Sequence, residues 1–216
     1  MKACLWLMLA PWLMAQPETL RYSINWPSGL SLGEATLTAN GGMLSLTLEA
    51  MVPGFPIRDQ YSSRVGERYC SETFSKEFVH GARKGLERSE FDAARKVVVR
   101  ETPGGGKSEI PFPAACPKDA LAFLFFLREE LKNGRLPAAQ TLFFGAPYQV
   151  RLTYAGGEKV KAGEHWEDTD RVQATIKGPA SETSIEILFA RDGERTPVLV
   201  RVPLAMGTFS MELARE

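Results

Sequence analysis

Histidine is almost missing from this chain, which has only His80 and His165 in 216 residues, and cysteine occurs three times, as Cys4, Cys70 and Cys116. That leaves few side chains from which a metal centre or a thiol or imidazole active site could be built. An excess of charge of either sign is also missing. Lys+Arg and Asp+Glu are 26 each, so there is no global basic field to attract nucleic acid or anionic lipid. No repeat of fixed period and no domain linker is visible, and no apolar run reaches the roughly 20 residues that a membrane-spanning helix needs. What remains is 44% apolar and 24% charged residues, the composition of one globular domain large enough to bury a core.

The N-terminus has the layout of a secretory signal peptide. Lys2 is a short positive region, Leu5 to Met14 is apolar, and Ala15 offers a small residue ahead of the polar Gln16-Pro17-Glu18. The competing reading, a buried N-terminal helix, conflicts with Pro11. Cys4 precedes the apolar stretch, whereas a lipid-modified cysteine follows one. The expectation is a signal peptide over 1–15 and a single β-rich domain over 16–216, exported to the periplasm or the cell surface of a bacterium. Removing Lys2 with the peptide leaves the remainder one unit negative. Cys70 and Cys116 are then the remaining cysteines, an even number in an oxidising compartment. A disulfide between them would close a loop of about 47 residues, stabilising the fold by about 4 kcal/mol in the chain-entropy model. Two free, buried thiols are the alternative.

Most of the chain alternates with the period of a strand. Leu20, Tyr22, Ile24 and Trp26 share one face, as do Ala35, Leu37 and Ala39, and then Leu44, Leu46, Leu48 and Ala50. Pro27-Ser28-Gly29 predicts a turn, and Asn40-Gly41 predicts a two-residue hairpin of type I′. Shorter strands are expected over 59–64 and 67–78. A hairpin follows over 83–92 and 96–101, with Val97-Val98-Val99 buried on both faces, and then a flexible loop at Pro103-Gly104-Gly105-Gly106. Further strands are expected over 141–144, 148–154 and 158–161, the last two joined by a Gly156-Gly157 turn. The last four fall over 171–176, 184–190, 198–202 and 208–213, with a hairpin turn at Asp192-Gly193.

One helix is predicted, from about Pro117 to Asn133, with Asp119 near its positive end, Lys132 near its negative end and Gly134 free to take a left-handed cap. Ala120 to Leu127 are apolar on every face, and Arg128, Glu129 and Glu130 begin a polar half. A helix apolar all round must be buried. The fold class is therefore mainly β: a curved antiparallel sheet or half-open barrel wrapped around one buried α-helix (about 117–133).

Candidate sites are few. Gly106-Lys107-Ser108 lacks the earlier glycine of a phosphate loop, since that position is Glu101, and Pro111 and Pro113 forbid the helix such a loop feeds. Glu164-His165-Trp166-Glu167-Asp168 could bring at most His165 and Glu167 together on a strand, and reads better as a solvated polar loop with Trp166 packed inward. Cys116 ahead of a helix could be an activated thiol, but it has no partner base nearby in the sequence. A serine-histidine-aspartate arrangement has no glycine-flanked serine elbow to support it. These features single out no catalytic, cofactor or metal residues. Phe123, Leu124, Phe126 and Leu127 could line a cavity for an apolar ligand, or could simply be core.

Several segments, taken in order, resemble a known family of exported bacterial proteins, the domain of unknown function 3108. They are Tyr22-Ser23-Ile24-Asn25-Trp26 with Gly33-Glu34-Ala35; Asp59-Gln60-Tyr61; Gly81-Ala82-Arg83; Pro117 to Arg128; Asp192 to Pro197; and Met206-Gly207-Thr208. The resemblance implies export and a β-rich fold and carries over no functional residue. By a looser analogy of plan, an open half-barrel holding a helix is similar to carriers of lipoproteins and other lipids. The functional expectation is a non-enzymatic envelope protein that binds a lipid, a lipoprotein-like apolar ligand or another envelope component. A scaffolding β domain with a filled core is the alternative, and a cryptic hydrolase or thiol enzyme is a third.

Overall fold

The computed structural model describes residues 17–52, 55–204 and 207–215. The expected signal peptide lies outside them. Eight strands come first: β1 Glu18–Asn25, β2 Ser31–Asn40, β3 Met43–Val52, β4 Phe55–Val65, β5 Ser71–His80, β6 Arg83–Asp92, β7 Val97–Thr102 and β8 Gly106–Pro111. The two-residue strand β9 Lys118–Asp119 leads into the helix α1 Ala120–Lys132. Then follow β10 Gln140–Phe143, β11 Pro147–Ala162, β12 His165–Lys177, β13 Glu182–Ala190, β14 Pro197–Leu204 and β15 Gly207–Leu213.

All fifteen belong to one sheet, in the order β8 back to β1, then β15 back to β9. Neighbours are antiparallel except the short β9–β10 pair. The chain is therefore an up-and-down meander whose first and last strands are zipped together, Tyr22 opposite Leu213 and Ile24 opposite Met211. It stays open at its middle, between β8 and β9. The expected architecture of a curved open sheet with one helix against it is what the chain adopts.

The inward faces of β1, β2 and β3 supply Tyr22, Ile24, Ala35, Leu37 and Leu44, and α1 adds Leu121 and Phe125 to the same cluster. Leu127 and Leu131 pack with Val172, Ile187 and Phe189, so both halves of the meander close on the helix. Each large apolar side chain withdrawn from water contributes about 1.5–3 kcal/mol. At the open side, Phe143 of β10 meets Phe91 and Phe112 edge-on, at ring distances of 5.8 and 6.1 Å, and brings the two ends of the sheet together without a ladder.

Several local expectations are corrected by tertiary context. The first hairpin turns at Gly41-Gly42, not Asn40-Gly41. Asn40 pairs with Met43, and the positive φ of 55° and 83° falls on the two glycines. Gly156-Gly157 is a bulge inside the continuous β11, with register shifting between Tyr154 and Gly157, because β12 pairs along its whole length. The segment 164–168 is no loop: Gly163 and Glu164 make the turn and His165 starts β12. Trp166 points out, 67% exposed, since the alternation on that strand gives the inward positions to others. Glu67–Tyr69 is a 3-10 turn and β5 begins only at Ser71. Val98 alone of the three valines is fully buried, because one face of β7 remains partly open to water. Of the loop expected over Pro103 to Gly106, Gly106 already belongs to the edge strand Gly106–Pro111, so the glycine run narrows to a turn at 103–105. Asp192-Gly193 sits in a wider loop, 191–196, gathered by Asp192 Oδ1, which accepts from Glu194 N at 3.1 Å and Thr196 N at 3.0 Å.

Candidate functional site

The helix residues expected to line a cavity all face side chains of the sheet. Phe123 packs with Leu142, Val150 and Ala174, and Phe126 lies against the same group. Leu127 is in the cluster of Val172 and Phe189, which Leu124 joins to the main core. The start of the helix also differs from expectation. Pro117 and Lys118 precede it, and Asp119 is its N-cap, with Oδ1 accepting from Leu121 N at 2.9 Å and Ala122 N at 3.0 Å. Oδ2 accepts from the hydroxyls of Ser63 and Ser71, both at 2.6 Å, so the cap is fastened to β4 and β5. Arg128, read as the first residue of the polar half, is only 4% exposed. Its Nη1 and Nη2 donate to the two carboxylate oxygens of Glu18 at 2.7 Å each, and Nε donates to the Glu194 carbonyl at 3.1 Å. The left-handed Gly134, at φ 68°, ends the helix as its sequence suggested.

Four of the seven large apolar side chains that are exposed among the described residues lie toward one end of the meander. Because β1, β2, β3 and β4 alternate in direction and β15 runs against β1, the β1–β2, β3–β4 and β14–β15 connections all emerge at the same end. These three consecutive tips carry Leu30, Met51, Phe55 and Leu204, between 43 and 63% exposed. The β1–β2 and β14–β15 tips touch, since an added Cβ on Gly207 would meet Pro27 Cγ at 2.6 Å, while the Phe55 ring lies against the β5–β6 turn, 2.7 Å from a Cβ added on Gly81. Near this end an open groove of about 480 Å³ runs across β2 to β5, lined by Leu32, Ala50, Met51, Pro56, Ile57 and Val79 and by the Arg58–Glu49 ion pair at 2.9 Å. Its aliphatic lining and size suit a small apolar ligand. Sequence reading missed it because the tips are far apart in the chain. The signal that was present is the apolar character of residues a turn normally leaves polar.

On the other face of β4 and β5, Asp59 accepts from Tyr61 Oη at 2.9 Å and bonds His80 Nε2 at 2.7 Å. Burial, and then the Asp59 charge, push the Tyr61 phenol well above its ordinary range, so it stays a neutral donor. The Lys76 ammonium lies over the rings of Phe144, Phe78 and Tyr61 at 4.6, 5.6 and 5.9 Å. Asp59 takes hydrogen bonds from two neighbours, and Phe78 covers the imidazole at a ring distance of 5.2 Å. His80 therefore has a partner that orients it, and among the described residues no hydroxyl or thiol is hydrogen-bonded to its ring. His165 is remote on the outer end of β12, and among the described residues no three His, Cys, Asp or Glu side chains gather as metal ligands.

Cys70 and Cys116 are placed as a disulfide, with sulfurs 2.03 Å apart, joining the start of β5 to the segment that enters α1. In this pairing Cys116 holds no free thiol, which removes the reading of a standing nucleophile. Among the described residues no helix is long and apolar enough to cross a membrane.

The fold and surface define a class: an open β-meander closed over a single helix, with a largely aliphatic groove near one end. A family model described as "Protein of unknown function (DUF3108)" matches residues 21–214, which is almost all of the described chain. The chain belongs to this DUF3108 family. No curated protein matches it in sequence.

Proposed function

We propose that this is an exported envelope protein that binds the acyl chain of a lipid or lipid-modified ligand in the groove that crosses β2 to β5 beside Met51. The observation that carries the reading is the groove itself: a cleft of about 480 Å³ lined mostly by aliphatic side chains, among them Met51, which is 59% exposed. Arg58 at the edge can exchange Glu49 for an anionic headgroup at small cost, since an exposed ion pair is worth about 0–1 kcal/mol. The N-terminal layout of Lys2, Leu5 to Met14 and Ala15 supports an envelope setting.

The test is native mass spectrometry of protein purified from a periplasmic extract without detergent, before and after incubation with phosphatidylethanolamine/phosphatidylglycerol vesicles. A mass adduct that extracts as lipid, and that disappears in Met51→Asp, is expected. A bare mass after incubation would remove the acyl-chain reading and direct the search to a protein partner by cross-linking.

A further inference from the structure

Lys118 is only 5% exposed, yet no carboxylate of the described residues lies within ion-pair distance of its ammonium. Nζ is instead 2.9 Å from Cys116 Sγ and 4.3 Å from the centre of the Phe126 ring. Burial first, and then the nearby Arg68 guanidinium, pull its pKa below the ordinary lysine value, and no neighbour raises it. A buried ammonium without a counter-ion is unfavourable, so a lysine here is hard to explain by packing alone. The group it faces can become an anion. A thiolate at Cys116 would stand at contact distance from Lys118 with Arg68 close by, the electropositive setting that lowers a thiol pKa. The turn beside the other sulfur is strained as well, with Arg68 and Tyr69 both left-handed at φ 54° and 57°.

We infer that the Cys70–Cys116 pair is an exchangeable redox site in which Cys116 is the leaving and re-attacking sulfur, its thiolate held by Lys118. An external dithiol supplies the electrons. Its thiolate attacks Cys70 Sγ, a new S–S bond forms to Cys70, and the Sγ–Sγ bond breaks, its electron pair going to Cys116. The second thiol of the donor, deprotonated, then attacks its own sulfur in the mixed disulfide and expels Cys70. The donor leaves oxidised and two electrons stay on the pair. Exchange favours the lower-pKa thiol as leaving group, which sets the direction. Ser71 N still donates to the Pro117 carbonyl at 2.9 Å and the Asp119 cap still holds both serines, so opening the pair leaves α1 anchored.

The experiment measures alkylation by iodoacetamide against pH in Cys70→Ser, with and without Lys118→Met, with circular dichroism to confirm that both variants fold. Cys116 is expected to titrate below about pH 7.5, as thiols beside a lysine do, and to react about tenfold more slowly at neutral pH once Lys118 is replaced. In the chain with both cysteines present, a monothiol challenged and quenched with acid should be found on Cys70 and not on Cys116. A Cys116 titration at or above about 8.5 in both variants, or a mixed disulfide on Cys116, would overturn the assignment and leave a purely structural bridge.

Discussion

Replacing Asp119 by alanine should be among the most damaging single changes to this protein. Its carboxylate is fully buried and accepts four hydrogen bonds, two from the first-turn amides of α1 and two from Ser63 and Ser71. Loss of a helix N-cap costs about 1 kcal/mol. Each buried hydroxyl left without its acceptor adds about 1–3 kcal/mol. The sum for Asp119→Ala is about 4 kcal/mol, near the upper limit for a point change. Asparagine separates charge from shape. Burial lifts the Asp119 carboxyl above its ordinary 3.8, more than its four donors draw it down, so the negative charge is not what favours folding. The Asp119→Asn side chain would keep one oxygen toward the helix amides, and the serine hydroxyls can rotate to accept from its NH2 group. A loss of only about 1 kcal/mol is expected for that variant. The sign of the pH dependence follows. A carboxyl whose folded pKa is raised binds its proton more tightly when folded, so its contribution grows as pH falls from the folded value toward 3.8 and is constant below. Urea unfolding of the wild type, Asp119→Ala and Asp119→Asn at neutral and mildly acid pH measures all three. Equal losses for the alanine and asparagine variants, or a loss below about 1.5 kcal/mol for alanine, would refute the reasoning.

Three further outcomes are expected. Arg128→Met strands Glu18, which is partly exposed, and should cost about 2–3 kcal/mol in urea unfolding, while adding Glu18→Gln should recover part of it. Glu158 takes a hydrogen bond from Arg201 at 2.8 Å that holds its pKa below the ordinary carboxylate value. Its stabilisation is therefore complete above about pH 4.5 and is lost as pH falls through the depressed value. Glu158→Gln should flatten that part of the acid-unfolding curve, and an unchanged curve would discount the ion pair. Trp166→Ser removes an exposed ring and should change the unfolding midpoint by no more than about 0.5 kcal/mol equivalent. A larger loss would mean that Trp166 has a partner.

Alternation was enough to place most of the strands, because a half-buried antiparallel strand writes its two faces into every second residue. Leu20 to Trp26, Ala35 to Ala39 and Leu44 to Ala50 face as their pattern says. The all-round apolar run Ala120 to Leu127 was enough to bury α1, and the even number of downstream cysteines was enough to suggest their pairing. Local pattern failed where a partner strand or a distant charge decides. Gly156-Gly157 looks like a turn until β12 pairs straight past it. Glu164 to Asp168 looks like a loop until the second half of β11 pairs with His165 to Asp168, from Ala162 opposite His165 to Lys159 opposite Asp168. Arg128 looks like a solvent residue until Glu18, 110 positions earlier, supplies both of its acceptors.

The same division holds for the candidate sites. Which residues must leave water could be read along the chain, because transfer of apolar surface is local and additive. Which apolar residues stay outside could not. Leu30, Met51, Phe55 and Leu204 come to the same end only because the ladders from β4 to β1 and the β1–β15 pairing set the three tips side by side. Nor does any local pattern tell that Lys118 faces a sulfur and lacks a carboxylate. That depends on the direction of one buried side chain, which is set by packing against Phe126 and the Cys70–Cys116 link. Burial is written residue by residue, while juxtaposition is a property of the closed sheet, and both proposed sites are juxtapositions.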